Sequence, residues 1–248
     1  MEKPYYKAIL LVLASDNAPI YKFFKQVYES YMNENPNVRV FFVYGAGTNF
    51  ERKEYDLVYD DLKETPMPPW MTMKVIRAME YIDQNYDYDF LVRTNLSTFW
   101  DFNALLERLE TMPKERCLSG KIGIFPPPFV TGIAMTISRD LIKEIVKKPH
   151  LVNIYHPKYV AEDRMISEFF TDHLDVPIID NITSLAFETE DAFVEEEIIK
   201  KIEKAKASRF IDHYRVKNRA DRMGIDTKVS QLLCKMIYGK DLNIRVGP

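Results

Sequence analysis

Asp87-Tyr88-Asp89-Phe90-Leu91-Val92-Arg93-Thr94-Asn95-Leu96-Ser97-Thr98-Phe99-Trp100-Asp101-Phe102 starts as a buried strand and ends as a polar loop. Phe90, Leu91 and Val92 form a short apolar run after a polar turn. The chain then breaks into Thr94, Asn95 and Ser97, and aromatic residues close the segment. A core strand that presents hydroxyl and amide groups at its carboxyl end is how an open α/β sheet builds a ligand site. Taken alone, a plain strand and turn is the simpler reading. The flanking sequence argues for more.

On the N-terminal side, residues 71–85 carry Val75, Ile76, Met79 and Ile82 at helical spacing, with Lys74 and Arg77 expected on other faces. Before them, residues 56–59 read as a short strand, followed by an acidic loop around Asp60 and Asp61. Residues 38–44 and 8–14 are all-apolar or nearly so, as expected of strands buried on both faces of a parallel sheet. Between them, Pro19 suits the first turn of a helix whose apolar face is Ile20, Phe23, Phe24, Val27 and Tyr31. This β-α-β opening calls for a parallel, right-handed crossover. It is not a dinucleotide site. The loop after the first strand has no glycine, and Gly45 and Gly47 follow the second strand instead.

On the C-terminal side, Asp101 can cap a helix whose apolar side is Leu105, Leu106, Leu109 and Met112. Residues 117–124 read as a strand, and Pro126-Pro127-Pro128 as an extended link that cannot sit mid-sheet. Phe129-Val130-Thr131-Gly132 leads into a strand at 133–137, and Ser138 is expected to cap a helix over 139–148. Glu162 and Asp163 open a further helix, 176–179 reads as a short strand and 193–207 as a charged helix. A last helix buries Val229, Leu232, Leu233, Met236 and Ile237 and ends at Gly239. The fold class is α/β: a central, mostly parallel sheet flanked by helices. Without a repeat, linker or clear boundary, residues 1–248 are read as a single domain.

The 248 residues are 46% hydrophobic and 29% charged, enough for a full core. A net charge of −3 gives no basic excess to favour nucleic acid as a partner. Cys117 and Cys234 have no metal spacing and read as free thiols of a reducing compartment. The apolar run at 8–14 is too short to span a bilayer, so no transmembrane segment is expected. No Walker motif points to ATP use.

The ordered set of motifs resembles the Fringe and β-1,3-galactosyltransferase-like glycosyltransferases of GT-A fold. Residues 93–99 match the family's strand end, Phe129-Val130-Thr131-Gly132 its aromatic-Val-Ser/Thr-Gly turn, and Glu162-Asp163 its acidic pair. Lys74 sits where the family commonly places a lysine. The likeness covers roughly residues 50–170, and the chain looks most like small soluble members from bacteria and large DNA viruses.

The resemblance implies an inverting transfer from a nucleotide-sugar donor, UDP-linked, to a glycan or glycoprotein hydroxyl. It makes residues 1–125 mainly the nucleotide-sugar half and 126–248 mainly the acceptor half with a closing segment. Asp163 is the implied base, against the alternative that it or Glu162 merely caps its helix. Thr131, Gly132 and Glu162 are expected on the acceptor side. Ser15, Asp16, Asp60, Asp61, Lys74, Arg93, Thr94 and Asn95 are the donor-side candidates. Trp70, Trp100, Phe129 and Tyr155 can stack on a sugar or belong to the core. His156 and His173 receive no role. A cytoplasmic location is expected, in the host cell for a viral member.

One departure matters. The family holds Mn²⁺ or Mg²⁺ with carboxylates where this chain has Asn95, Leu96 and Ser97. Hard cations want oxygen ligands, preferably charged. Ser97 and His213 are the remaining candidate ligands, His213 by likeness to a C-terminal histidine of GT-A enzymes. Alternatively, Arg215 and Lys217 neutralise the leaving diphosphate as fixed cations. The plain reading of residues 213–219 is an exposed basic turn. The missing carboxylates also admit a non-catalytic sugar or nucleotide-sugar binding relative.

Overall fold

A computed structural model describes residues 2–65, 67–124, 126–152, 161–181, 183–208, 211–242 and 244. In chain order they form β1 (Tyr5–Leu13), α1 (Pro19–Tyr31), β2 (Val38–Ala46), β3 (Asp56–Lys63), α2 (Trp70–Asn85), β4 (Asp87–Asn95), β5 (Thr98–Trp100), α3 (Phe102–Glu110), β6 (Leu118–Gly120), β7 (Ala134–Ser138), α4 (Arg139–Lys147), a 3-10 turn (Pro149–Leu151), α5 (Glu162–Leu174), β8 (Ile178–Asp180), β9 (Ser184–Phe187), α6 (Glu195–Ser208), β10 (His213–Val216), a π-helical turn (Arg222–Asp226) and α7 (Thr227–Tyr238). They pack as two compact units. The first takes the described residues of 2–15, 37–95 and 112–181, and the second those of 16–36, 96–111 and 183–244.

The first unit holds a seven-stranded sheet in the order β3-β2-β1-β4-β7-β6-β8. Its first four strands are mutually parallel, β7 runs antiparallel to β4 and β6, and β8 is parallel to β6. The expected class, a mostly parallel sheet flanked by helices, is the one observed. β1 lies inside the sheet, between β2 and the central β4, in keeping with an apolar run buried on both faces. Ile9, Leu11, Leu91, Met135 and Ile137 share one core with α2, α4 and α5 through Val75, Met79, Ile142, Ile166 and Phe169. The register sets Leu13 opposite Asn95. The chain therefore leaves β1 at Ala14 and Ser15 on the same carboxyl edge where β4 ends. This edge is where open α/β sheets bind ligands.

The second unit has a three-stranded sheet, β5-β10-β9, with α1, α3, α6 and α7. Tyr31 on α1 stacks on Tyr238 of α7 at 4.9 Å and meets Phe99 and Phe102. Tyr238 Oη donates to the Trp100 carbonyl at 2.8 Å and accepts the Phe102 N–H at 3.0 Å. Asp101 caps α3 as expected, accepting from Asn103 and Ala104 N–H.

Several local expectations need correction. The 117–124 strand shrinks to Leu118–Gly120, because only that stretch finds partners in β7 and β8. Ser138 holds the N-cap position of α4 but caps no helix N–H; its hydroxyl pairs with Asp140 and accepts the Cys117 N–H instead. Asp60 and Asp61 lie within β3, not in a loop. Residues 213–216 form a strand, not an exposed turn. Lys74 is fully buried, not on an outer face of α2. Trp100 and Phe129 are buried, which leaves them core residues, whereas Tyr155 and His156 lie outside the described residues.

Candidate active site

Arg93 anchors the carboxyl end of β4. Its Nε donates to Glu162 Oε1 at 3.1 Å and its Nη2 to Glu162 Oε2, a two-point pair with the two residues 5% and 4% exposed. Its Nη1 donates to Asn95 Oδ1 and to the Gly132 carbonyl. A Cβ at residue 132 would collide with the Arg93 guanidinium, so only glycine lets the turn approach this closely. Asn95 Nδ2 donates to the same Gly132 carbonyl at 3.0 Å, and Thr94 Oγ1 to the Ile133 carbonyl at 2.6 Å.

Gly132 also carries the link to Asp163. Its N–H donates to Asp163 Oδ2 at 2.7 Å, while Asp163 Oδ1 accepts the Arg164 N–H at 2.9 Å. Both members of the acidic pair therefore bear on one turn, Asp163 directly and Glu162 through Arg93. Glu162 is sealed against Arg93, and Asp163 is only half-buried. Burial is the largest influence on the Glu162 carboxyl and pushes it above its usual range; Arg93 opposes this, and the nearby Asp163 charge adds to it. Thr131 adjoins the turn with a buried hydroxyl that has no hydrogen-bond partner among the described residues.

Lys74 Nζ reaches both oxygens of Glu64, at 3.1 and 3.0 Å, and Glu64 Oε2 accepts the Gly45 N–H. Burial lowers the Lys74 ammonium from its usual range, against the opposing pull of Glu64. Asp60 pairs with Arg52 at 2.7 Å and Asp61 with Arg77 at 2.6 Å, both on the exposed edge strand. Ser15 is at the carboxyl edge, with Asp16 the next residue in the chain.

The second unit holds the remaining candidates. Arg215 of β10 pairs with Thr98 of β5, and its Nη1 donates to Ser97 Oγ at 2.7 Å. The Val216 N–H donates to the Ser97 carbonyl at 2.8 Å. Two residues earlier on the same face of the strand, His213 stacks on Trp100 at 4.8 Å and its Nδ1 meets Asp212 Oδ1 at 2.7 Å. Asp212 Oδ2 accepts from Arg108 Nε at 2.5 Å. Burial alone would raise the Asp212 carboxyl, but Arg108 and His213 overcome it and hold it at about 2.

Sequence reasoning missed three of these partners. Glu64 was one acid in an acidic stretch. Arg108 lies far from Asp212 in sequence and gives no periodic signal. Asp212 adjoins His213, which was the single hint available. Among the described residues, no group of three His, Cys, Asp or Glu side chains is arranged to hold a metal ion. Ser97 and His213 fit a divalent cation poorly. The serine oxygen already faces a guanidinium, and the imidazole is 4% exposed, with one nitrogen bound to Asp212.

No family model matches this chain, and no curated protein matches its sequence. Solved structures do match. A glycosyltransferase involved in the glycosylation of the major capsid of PBCV-1 superposes with a TM-score of 0.50 at 11% identity, over 90% of this chain and 98% of the other. The apo form of the glycosyltransferase GlyE from Streptococcus pneumoniae TIGR4 gives 0.52 at 10% identity, over 96% of this chain and 64% of GlyE. The fold is shared with glycosyltransferases. At these identities the likeness extends to the backbone architecture. Among the described residues, no helix is long and apolar enough to cross a membrane.

Proposed function

We propose that this protein is an inverting glycosyltransferase that moves a sugar from a nucleoside-diphosphate donor, UDP-linked, to a hydroxyl of a glycan or glycoprotein. One observation carries the reading: the half-buried Asp163 carboxylate is fixed by the Gly132 N–H beside the carboxyl end of β4. The shared fold supports it, since ligands of open α/β sheets sit at that edge. Asp163 is the general base. It takes the acceptor hydroxyl proton as the acceptor oxygen bonds to the anomeric carbon. The bond from that carbon to the phosphate oxygen breaks, and its electron pair leaves with the diphosphate. Arg93 and Glu162 are assigned to positioning, because Arg93 holds the Gly132 carbonyl of the turn that fixes Asp163 and Glu162 holds Arg93. Ser15, Asp16, Thr94 and Asn95 are assigned to the donor and Thr131 to the acceptor.

Asp163→Asn tests this. It keeps the acceptor for the Gly132 N–H but loses the base. Transfer, read as nucleoside diphosphate release in a donor and acceptor screen, is expected to fall at least about 100-fold with donor affinity unchanged. Undiminished transfer would remove Asp163 from the mechanism.

A second reading is a non-catalytic nucleotide-sugar or glycan binding relative. The neutral Asn95-Leu96-Ser97 favours it. It predicts binding without turnover or donor hydrolysis, with or without Mn²⁺. Donor hydrolysis that Asp163→Asn abolishes would exclude it.

A further inference from the structure

We propose that Arg215 and Lys217, fixed on and just beyond β10, form the diphosphate site of this protein and stand in for a divalent cation. The inference rests on the donor class proposed above.

Ser97 is one of the three positions, with Asn95 and Leu96, where the resembling family has carboxylates, and its hydroxyl oxygen accepts a hydrogen bond from Arg215 Nη1 at 2.7 Å. A guanidinium in hydrogen-bond contact repels a metal ion from that oxygen and takes up one of its two lone pairs. The same guanidinium is itself a donor of the right geometry for phosphate oxygens. Its place is set by backbone pairing. Arg215 lies opposite Thr98, and the Val216 N–H closes onto the Ser97 carbonyl at 2.8 Å. The cation is therefore built into the sheet.

Lys217 follows two residues later and is exposed. It forms no ion pair among the described residues, although Glu188 and Asp226 are near enough to act on it through space. Partial burial, and then the charges of Arg215 and Arg222, lower its ammonium from the usual range. Four cations cluster here, Arg215, Lys217, Arg219 and Arg222. The carboxylates facing them are Glu188, at 3.8 Å from Arg215 and 3.7 Å from Arg219, and Asp226, at 3.0 Å from Arg222. Asp221, between Arg219 and Arg222 in sequence, adds a third carboxylate, which accepts the Gly224 N–H. Among these residues the cations still outnumber the carboxylates, and a diphosphate would neutralise that excess. Crowded cations of this kind cost free energy without an anion and bind one strongly. A leaving diphosphate gains negative charge as the sugar departs, so fixed cations at its oxygens favour that step.

The test is calorimetric titration of the full chain with UDP, GDP, ADP and inorganic pyrophosphate, in EDTA and in Mn²⁺. At least one nucleoside diphosphate is expected to bind in EDTA. Lys217→Gln, a change at an exposed position that leaves packing intact, is expected to weaken that binding about 10-fold, and Arg215→Lys more. Binding that requires Mn²⁺, or binding in EDTA that Lys217→Gln does not weaken, overturns the inference and leaves the glycosyltransferase reading standing. Pyrophosphate binding in EDTA, weakened by Lys217→Gln but without binding of any nucleoside diphosphate, keeps the cationic site and removes the donor. If none of these anions binds in either buffer, both fall.

Discussion

Arg93 and Glu162 are held together almost out of water, so each is needed chiefly because the other is there. Removing one partner of such a pair strands the other charge in a low-dielectric interior, at a cost of about 3–5 kcal/mol. Arg93→Met should lower stability by that amount in urea denaturation, with Glu162→Gln in the same chain recovering part of it. A loss below about 1 kcal/mol would mean the pair is solvated in solution. Asp212 makes a pH-dependent contribution. Its carboxyl falls from an ordinary 3.8 to about 2 in the folded chain. A lowered carboxylate stabilises the fold above the ordinary value, and the contribution is lost as pH falls from 3.8 through 2. It amounts to roughly 2 kcal/mol. Acid unfolding of Asp212→Asn should be flatter across that window, with lower stability at neutral pH. An acid limb unchanged from the parent would show that Asp212 is not ionised against Arg108. Asp163 could be named as a candidate from sequence because Glu162-Asp163 opens a helix after the Phe129-Val130-Thr131-Gly132 turn. The Arg93–Glu162 and Lys74–Glu64 pairs were not, since charge pairing across distant segments leaves no periodic trace.

Short elements account for most of what the sequence hid. The long strands and helices announce themselves, β1 by an unbroken apolar run and α1 by spacing of 3 and 4 between Ile20, Phe23, Phe24 and Val27. β10 does the reverse. His213-Tyr214-Arg215-Val216 reads as a basic turn, yet all four residues are buried, because His213 is matched to Asp212 and Arg215 to Ser97. β5 and β9 are 3 and 4 residues long, and their pairing with β10 is tertiary information. Capping was better marked. Asp101 was legible as the cap of α3, and its Oδ1 accepts from the N–H groups of Asn103 and Ala104 at 3.1 and 3.2 Å. Asp101→Ala should cost about 1 kcal/mol, measured by denaturant titration. Asp101→Ser should recover most of that, because serine supplies the same acceptor. A serine variant no better than alanine would assign the loss to Asp101's charge rather than to the cap.

The class of the molecule could be read from the alternation of apolar runs and helical patterns, but its division into two units could not. Each unit is assembled from three separate segments, and the chain passes between them at 15–16, 36–37, 95–96, 111–112 and the 181–183 stretch. No composition shift marks those points, so the sequence reads as one body. The second unit contains Ser97, His213, Arg215 and Lys217, whereas Asp163 and Gly132 belong to the first. Donor binding can be tested without dividing the chain. A ligand that binds only the native state stabilises it by about 2.7 kcal/mol at 100 times its dissociation constant. For a chain of this size that corresponds to a rise in melting temperature of roughly 5–10 °C. One nucleoside diphosphate in a panel should produce such a rise, scaling with the logarithm of its concentration, while the matching nucleoside lacking phosphate gives much less. Equal shifts from nucleoside and nucleoside diphosphate would mean that the phosphates contribute nothing. The cationic segment after β10 would then be a solvated surface, and the proposed donor class would fail with it.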